Sequence, residues 1–447
     1  MRVTTTRRTP RTTRAALVAL TAAGAMALTA CSGDSGAMPE SDGGNGDAAE
    51  GGNVEIRFAW WGSDTRHETT QQIIDLFEEK NPGITVVPDY TDWGGYWDKL
   101  ATSVAGGDTP DVITQEERYI SDYATRGVIA DLNELDIDTA EIPEEILATG
   151  EIDGKLYGIA TGVNAYAMVA NPEIFEQAGV EMPDDTTWTW EDYVEIAGQI
   201  SEGAGDGVWG TQDYGFNEAG LNVLARQKGE SLYSPDGGLG VSEETVAEFF
   251  QRSLDLMANN GQPDASRSVE IQNAGPEGSL LGTSTGAMGV WWSNQLGALS
   301  SASGAELELL RLPGEAQYER TGMYFKPAMY YSISATTEHP EEAAKFVDFL
   351  LNDPEVAALQ LTDRGLPSNL SVRESIVGDL EAADQKVAEF MSDLEDEIVD
   401  SPPVPPNGSA QMQDIMTRIN TEVLFGNITP QEAAERFISE VEAAIGG

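Results

Sequence analysis

Strand-like and helix-like segments alternate between residues 54 and 114, and this order constrains the fold more than any other feature. The strand-like segments hold apolar residues in alternation or in short runs, and the helix-like segments place apolar residues on one face. The segments are Val54 to Ala59 (strand), Thr65 to Lys80 (helix), Ile84 to Tyr90 (strand), Trp93 to Ala105 (helix) and Thr109 to Thr114 (strand). A β-α-β-α-β order predicts a parallel sheet with crossover helices.

Aromatic and polar residues follow each of these three strands. Ligands of such sheets bind at the carboxyl ends of the strands, so we expect these residues to lie along one rim. They are Trp60 and Trp61 after the first strand, Asp89, Tyr90 and Trp93 after the second, and Gln115 to Tyr119 after the third.

Residues 1–30 have the pattern of a secretory signal peptide, with five arginines before an apolar run from Ala15 to Ala30. The run ends in Leu-Thr-Ala-Cys, which resembles the bacterial lipoprotein box, where cleavage precedes the cysteine and lipid is attached to its sulfur. Cys31 is the only cysteine, so no disulfide framework is expected. An ordinary signal peptide with a stray cysteine is the alternative, and Arg7-Arg8 raises the alternative of twin-arginine export.

Residues 31–53 are expected to form a flexible tether, because they are rich in Gly, Asp, Ser, Glu and Ala and cannot bury much apolar surface. The whole chain has a formal net charge of −51. Such a charge disfavours nucleic acid and anionic lipids as partners of the body. We therefore expect contact with a membrane only through the lipid anchor at Cys31.

Several motifs in order along the body resemble those of extracellular solute-binding proteins of ABC importers, in the carbohydrate-binding, maltose-binding-protein-like group. No motif is specific alone, and the order of all of them carries the resemblance. They are "FAWWG", "YWDKLATSVAGGDTPDVI", "GKLYGIATGVNAYAMVAN", "TWTWEDY", "GAMGVWW", "SISATTEHPEEAAKFVDFLLNDPEVA" and "RGLPS".

The resemblance implies a two-lobed α/β fold of the periplasmic-binding-protein type, with a ligand cleft between lobes joined by several crossover segments. By analogy, residues 54–166 and 313–332 form the N-terminal lobe, and residues 167–312 and 333–447 form the C-terminal lobe. The crossovers are expected near Ala165 to Asn171, Leu310 to Glu315 and Tyr330 to Ala335. The implied protein is an exported monomer that is not an enzyme, held at the outer face of the cytoplasmic membrane, which delivers a carbohydrate to membrane permease subunits.

Sugars stack their C–H faces on aromatic rings, and their hydroxyls need both donors and acceptors. Adjacent strand residues point to opposite faces, so we predict that one tryptophan of each pair, Trp60–Trp61 and Trp291–Trp292, contacts the ligand and the other lies in the core. Trp188 and Trp190 are expected to pack at a helix start.

Further ligand-binding candidates are polar residues at strand ends or beside a crossover. Asp64 has helix capping as an equal alternative, and for Asn217 and Glu218 capping is the favoured interpretation. Lys326 departs from the glycine-rich pattern common in the family and raises the question of a charged ligand. The polar and tyrosine candidates are Asp64, Asp89, Asp92, Gln115, Arg118, Asn164, Tyr166, Lys326 and Arg364.

We predict no catalytic residues, no cofactor and no metal ligands, although a carboxylate calcium site stays open as an alternative. The sequence has no nucleophile elbow, no phosphate-binding glycine loop and no zinc spacing. Two other functions also stay open: the same fold binding a polyol, an amino sugar or a peptide, and a secreted hydrolase with two carboxylates in its cleft.

Overall fold

The computed structural model describes residues 53–272, 274–318, 321–398 and 400–446. Cys31, the signal peptide and nearly all of the tether lie outside the described residues. The strands are β1 (Val54–Trp61), β2 (Ile84–Thr91), β3 (Val112–Gln115), β4 (Glu151–Ile152), β5 (Lys155–Leu156), β6 (Ile159–Ala170), β7 (Trp209–Thr211), β8 (Gly286–Trp292), β9 (Glu308–Leu310), β10 (Phe325–Ile333) and β11 (Leu366–Pro367).

Single α-helices connect the first three strands, and runs of helices follow β7, β10 and β11. The α-helices are α1 (Asp64–Lys80), α2 (Trp93–Gly106), α3 (Glu117–Thr125), α4 (Glu144–Leu147), α5 (Pro172–Ala178), α6 (Trp190–Gly203), α7 (Glu218–Gln227), α8 (Glu243–Ala258), α9 (Ala265–Gln272), α10 (Gly275–Gly278), α11 (Leu296–Ser303), α12 (Pro340–Asn352), α13 (Pro354–Gln360), α14 (Leu370–Ile376), α15 (Ala382–Glu395), α16 (Met412–Leu424) and α17 (Pro430–Ile445).

The predicted parallel sheet of the first hundred described residues is confirmed. β1 pairs in parallel with β2 on one side and with β3 on the other. The connecting helices bury Ile73, Ile74 and Phe77 of α1 and Tyr96 and Leu100 of α2. Because the crossover helices cover the sheet, the apolar residues of β1 are buried on both of its faces.

β6 is the longest strand and changes partners in its middle. Ile159 to Ala165 pairs with β10, whereas Tyr166 to Ala170 pairs with β8. The sheet therefore has the order β2-β1-β3-β10-β6-β8-β7, with β9 and β11 also paired to β6. This change of partner lies at the first predicted crossover and separates two halves of the sheet.

The last predicted crossover, near Tyr330 to Ala335, is wrong. β10 stays paired with β3 as far as Ile333, and the backbone N–H of Ser334 donates to the Asp111 carbonyl at 2.9 Å. β11 then pairs with Gly162 and Val163 of β6, still in the first half of the sheet. The chain reaches the second half only after Pro367, where α15 packs on β9 and α11.

Helix α12 does not fit the predicted lobe boundary at residue 333. The ring of Phe346 on α12 meets the ring of Phe58 on β1 edge to face, with centroids 5.3 Å apart. The predicted boundary at residue 333 assigns α12 to the C-terminal lobe, whereas α12 packs on β1 in the first half of the sheet. The other lobe boundaries stay a prediction.

Helix starts follow their sequence signals closely. Thr189 and Asp192 form a capping box at α6, and Thr429 and Glu432 form another at α17. Trp190 is 1% exposed and packs at the helix start, and Trp188 beside it is also buried. These local predictions succeed because a cap depends only on residues within one turn of each other.

Candidate functional site

A pocket of about 70 Å³ opens beside the point where β6 changes partners. We call it the charged pocket. Its wall combines the first turns of α3 and α7, the start of β10, the end of β8 and a proline-rich segment at 402–405. Its polar and aromatic lining includes Glu117, Arg118, Glu218, Tyr233, Trp292, Tyr324, Lys326 and Tyr330.

The charged side chains reach this pocket because two strands deliver them to the same edge. Glu117 and Arg118 follow β3 directly, and Lys326 lies near the start of the antiparallel strand β10. In the register of the sheet, Lys326 is opposite Asn164 on β6 and Tyr166 is opposite Trp292 on β8. The carboxyl end of β3 and the amino end of β10 therefore meet at one edge.

Two ion pairs hold the cations of the pocket. Nζ of Lys326 lies 2.9 Å from a carboxylate oxygen of Glu117, and Nε of Arg118 lies 3.0 Å from Glu116. Burial is the largest single influence on the pKa of Lys326 and acts to lower it, but the Glu117 and Glu116 carboxylates together outweigh burial and raise that pKa. Lys326 therefore stays protonated, and its Nζ also lies 5.6 Å from the centre of the Trp292 ring.

Glu218 has a different environment from the other carboxylates. Its Oε2 atom is buried without a hydrogen-bond partner among the described residues, and burial raises the pKa of this carboxyl group. The predicted capping role belongs instead to Asn217, whose Oδ1 accepts from the backbone N–H of Ala219 at 2.9 Å. Glu218 is thus a pocket residue that the sequence interpretation assigned to a helix cap.

A second pocket, of about 230 Å³, lies on the other side of Trp292. We call it the tryptophan pocket. Trp291 and Trp292 are both half-buried and both line it, and Trp292 alone of the pair also lines the charged pocket. Nε1 of Trp291 is buried and has no hydrogen-bond partner in the described part of the chain. Other lining residues are Tyr166, Gln212, Asn217 and Gln295.

The first tryptophan pair does not line either pocket. Trp60 is 0% exposed, and its indole N–H donates to Nδ1 of His67 at 3.1 Å. Trp61 is 7% exposed and packs on Tyr96 and Trp97 of α2. Helices cover both faces of β1, which explains why neither ring lines a pocket here; contact of one member of this pair with the ligand stays a prediction.

The three predicted aspartates lie outside both pockets. Asp92 caps α2 by accepting from the backbone N–H of Gly95 at 3.0 Å. Asp89 pairs with Lys99 and with Arg57. Asp64 is exposed as the first residue of α1, and Ser63 is the cap of that helix.

Arg364 is a structural residue in this conformation. It is 3% exposed and donates to the Tyr331 hydroxyl at 2.8 Å and to Oγ1 of Thr70 at 2.6 Å. The next residue, Gly365, has φ of +84°, a conformation that favours glycine. The "RGLPS" motif thus fixes β11 against β6 and does not reach either pocket.

Gln115 and Asn164 are buried and incompletely hydrogen-bonded. Gln115 is 0% exposed with neither amide atom paired, and Oδ1 of Asn164 also lacks a partner, within the described ranges. Neither side chain lines the charged pocket or the tryptophan pocket. Of the thirteen predicted ligand-binding residues, the structure brings Arg118, Tyr166, Trp291, Trp292 and Lys326 to the pockets.

Sequence reasoning missed Glu117, Tyr233, Tyr324 and the segment at 402–405. Glu117 lies inside the stretch expected at the rim, but Arg118 beside it was chosen. The sequence "SPPVPP" from Ser401 to Pro406 was the one available signal for this wall. The proline ring restricts the backbone angle φ, so a proline-rich segment is stiff even outside helices and strands. Tyr233 and Tyr324 lie in loops with no local pattern that marks them.

The described ranges offer neither a metal-binding cluster nor a membrane-spanning helix. No cluster of three or more histidine, cysteine, aspartate or glutamate side chains there has the geometry to hold a metal ion. None of the helices within those ranges combines the length and apolar character needed to cross a membrane.

Comparison with known proteins defines the class. The model of the bacterial extracellular solute-binding protein family matches residues 62–357, and the chain belongs to that family. It is similar to a solved periplasmic oligogalacturonide-binding protein of Yersinia enterocolitica, with 25% identity, a TM-score of 0.77, and coverage of 88% of this chain and 99% of that one. The mixed α/β architecture is therefore that of periplasmic solute-binding proteins.

Two curated relatives match at low identity. An arabinooligosaccharide-binding protein of Halalkalibacterium halodurans is 28% identical over 210 residues, which cover 44% of each chain. An uncharacterized lipoprotein of Streptomyces antibioticus is 24% identical over 329 residues, which cover 71% of each chain.

Proposed function

We propose that this protein captures a sugar or oligosaccharide in the charged and tryptophan pockets and acts by binding, without catalysis. The observation that carries the proposal is the position of Trp292, which lines both pockets among hydrogen-bonding groups. An indole ring beside carboxylate, guanidinium and amide groups matches a sugar, which has apolar C–H faces and hydroxyls that both donate and accept. The sugar-binding relatives support the same class of ligand.

The protein then delivers the bound sugar to the permease subunits of an ABC transporter. Ligand binding closes two lobes by its higher affinity for the closed form. In the proposed arrangement the N-terminal lobe holds residues 54–166 and 313–367, which include α12 and β11, and β6 is one of the segments that joins the lobes. The protein works as a monomer.

Cys31 is the proposed site of lipid attachment, which holds the mature protein at the outer face of the cytoplasmic membrane. The lipoprotein box and the lipoprotein relative support this assignment. A Cys31→Ala variant should appear in the medium or the soluble fraction, with the wild-type protein as control. Retention of the variant in washed membranes would contradict the anchor.

A ligand screen tests the sugar proposal. Purified mature protein is melted with neutral, acidic and basic oligosaccharides, polyols and peptides, and each ligand that raises Tm is then titrated calorimetrically. Trp292→Ala should weaken binding of the sugar by about tenfold or more, because stacking contributes about 1 kcal/mol beyond the area that the ring buries. Phe425→Ala is the control, since Phe425 is an aromatic residue that is 51% exposed and lines neither pocket.

The outcome separates the remaining candidates. A rise in Tm only with peptides or polyols would replace the sugar by that solute class. Turnover of a bound oligosaccharide by the purified protein would contradict binding without catalysis.

A further inference from the structure

The charges around the charged pocket do not balance. Its two cations each have a carboxylate partner already, Lys326 with Glu117 at 2.9 Å and Arg118 with Glu116 at 3.0 Å. Glu218 lies within electrostatic reach of these groups but has no ion pair among the described residues. One carboxylate in the pocket therefore lacks a positive partner.

The unpaired carboxylate is also poorly solvated. Oε2 of Glu218 is buried and accepts no hydrogen bond from the described part of the protein. A buried anion without a counter-ion is costly, which is the physical reason that burial raises the pKa of this group. A cation arriving in the pocket would offset that cost.

Aromatic rings line the same pocket beside Glu218. Tyr233 and Tyr324 are buried, and both lie close enough to Glu218 for the two groups to interact electrostatically. Trp292 completes this wall and already has the Lys326 ammonium 5.6 Å from its ring centre. Aromatic faces together with a carboxylate form an environment that attracts an ammonium group.

We propose that the charged pocket selects a saccharide that carries a protonated amine, with Glu218 as its counter-ion. This inference rests on the proposed function and specifies its substrate class. The ammonium group lies at Glu218 between the tyrosine rings, and the sugar ring reaches Trp292 and the tryptophan pocket. The Lys326–Glu117 and Arg118–Glu116 pairs stay intact and fix the wall.

An acidic saccharide fits the same pocket less well. It would have to displace Glu117 or Glu116 from its cation, and it would bring a second unpaired anion close to Glu218. The formal net charge of −51 also repels an anionic ligand at long range and attracts a cationic one. A lysine in a pocket would by itself indicate an anionic ligand. Lys326 is already paired with Glu117, so its charge does not favour an anionic ligand.

The test compares three trisaccharides of matched length by calorimetry: a glucosamine trimer, its fully N-acetylated neutral form and a galacturonate trimer. At about pH 6.5 the free amines are protonated. Wild-type protein should bind the glucosamine trimer about tenfold or more tightly than the N-acetylated form, and the galacturonate trimer most weakly. The Glu218→Gln variant should lose this preference, and Glu68→Gln, at an exposed carboxylate on α1, should keep it.

Each other outcome overturns the inference. Equal or tighter binding of the N-acetylated or galacturonate trimer would do so while leaving carbohydrate binding intact. A preference that survives in a folded Glu218→Gln variant would show that Glu218 is not the counter-ion. If no saccharide of the full screen bound, the proposed function would fail and this inference with it. If Glu218→Gln does not fold, equal or tighter binding of the N-acetylated trimer by the wild-type protein still overturns the inference.

Discussion

Nζ of Lys326 lies 2.9 Å from a carboxylate oxygen of Glu117, so an ion pair joins the start of β10 to the first turn of α3. Both side chains are 21% exposed and both line the charged pocket. The pair connects two elements whose residues are about two hundred positions apart in the sequence. It therefore ties the wall of the site to the packing of the sheet.

Breaking this ion pair should destabilise the protein. Lys326→Met leaves the Glu117 carboxylate partly buried without its partner, which should lower the unfolding free energy by about 1 to 3 kcal/mol. The Lys326→Met/Glu117→Gln double variant should lose less than the sum of the single losses. Urea denaturation measures all four proteins, and strictly additive losses would show that the two groups do not interact.

The two tryptophan pairs should behave differently. Trp60→Ala and Trp61→Ala each remove a buried ring and should cost about 3 to 5 kcal/mol of stability. Trp291→Ala and Trp292→Ala remove half-buried rings that line the pockets, so Tm should fall less and ligand affinity should fall more. Thermal melting and calorimetry on the four variants measure both effects. A normal Tm for Trp60→Ala would contradict its place in the core.

His67 should titrate below its ordinary pKa of 6.5. Burial lowers the pKa of His67, and the Trp60 indole donates to its Nδ1, which must be unprotonated to accept. On acidification below about pH 6.5 the unfolded chain takes up this proton before the folded protein does, so stability falls as pH falls through that range.

Histidine NMR measures this pKa directly, because the chain has only two histidines and His339→Gln assigns the resonances. Urea denaturation at several pH values should show that His67→Gln loses part of the acid destabilisation. Titration of His67 at or above 6.5 would contradict the Trp60 hydrogen bond.

Arg364 should matter for stability and not for binding. Arg364→Met leaves the Thr70 and Tyr331 hydroxyls without their buried donor, which should cost about 1 to 3 kcal/mol. Ligand affinity should stay within about twofold of wild type in conditions where the variant is folded, because Arg364 lines neither pocket. A large loss of affinity without a change in Tm would place Arg364 at the ligand instead.

Local patterns predicted a large part of the fold. The parallel pairing of β1 with β2 and β3 followed from alternating strand and helix segments. The capping boxes at Thr189 and Thr429 followed from residues three positions apart. These features depend on steric effects and hydrogen bonds between residues that are close in the sequence, so the sequence alone is enough to predict them.

The structure brings only some of the predicted site residues to the two pockets, because a strand end alone does not place a side chain. Trp60 and Trp61 end β1 as Trp291 and Trp292 end β8, yet the first pair is buried and the second lines the pockets. Alternation along the strand suggested one exposed face, but helices on both faces of β1 bury both positions.

By itself the sequence determined the order of the elements, their caps and the strand ends that border the candidate site. Only the tertiary structure decided which side chains reach that site and which charges are already paired. Glu218 shows the reason: its cap-like position on α7 is local, whereas its unpaired state depends on Glu117, Arg118 and Lys326 from distant segments. Burial and charge pairing depend on all residues that are close in space. Only folding brings together neighbours that are distant in the sequence.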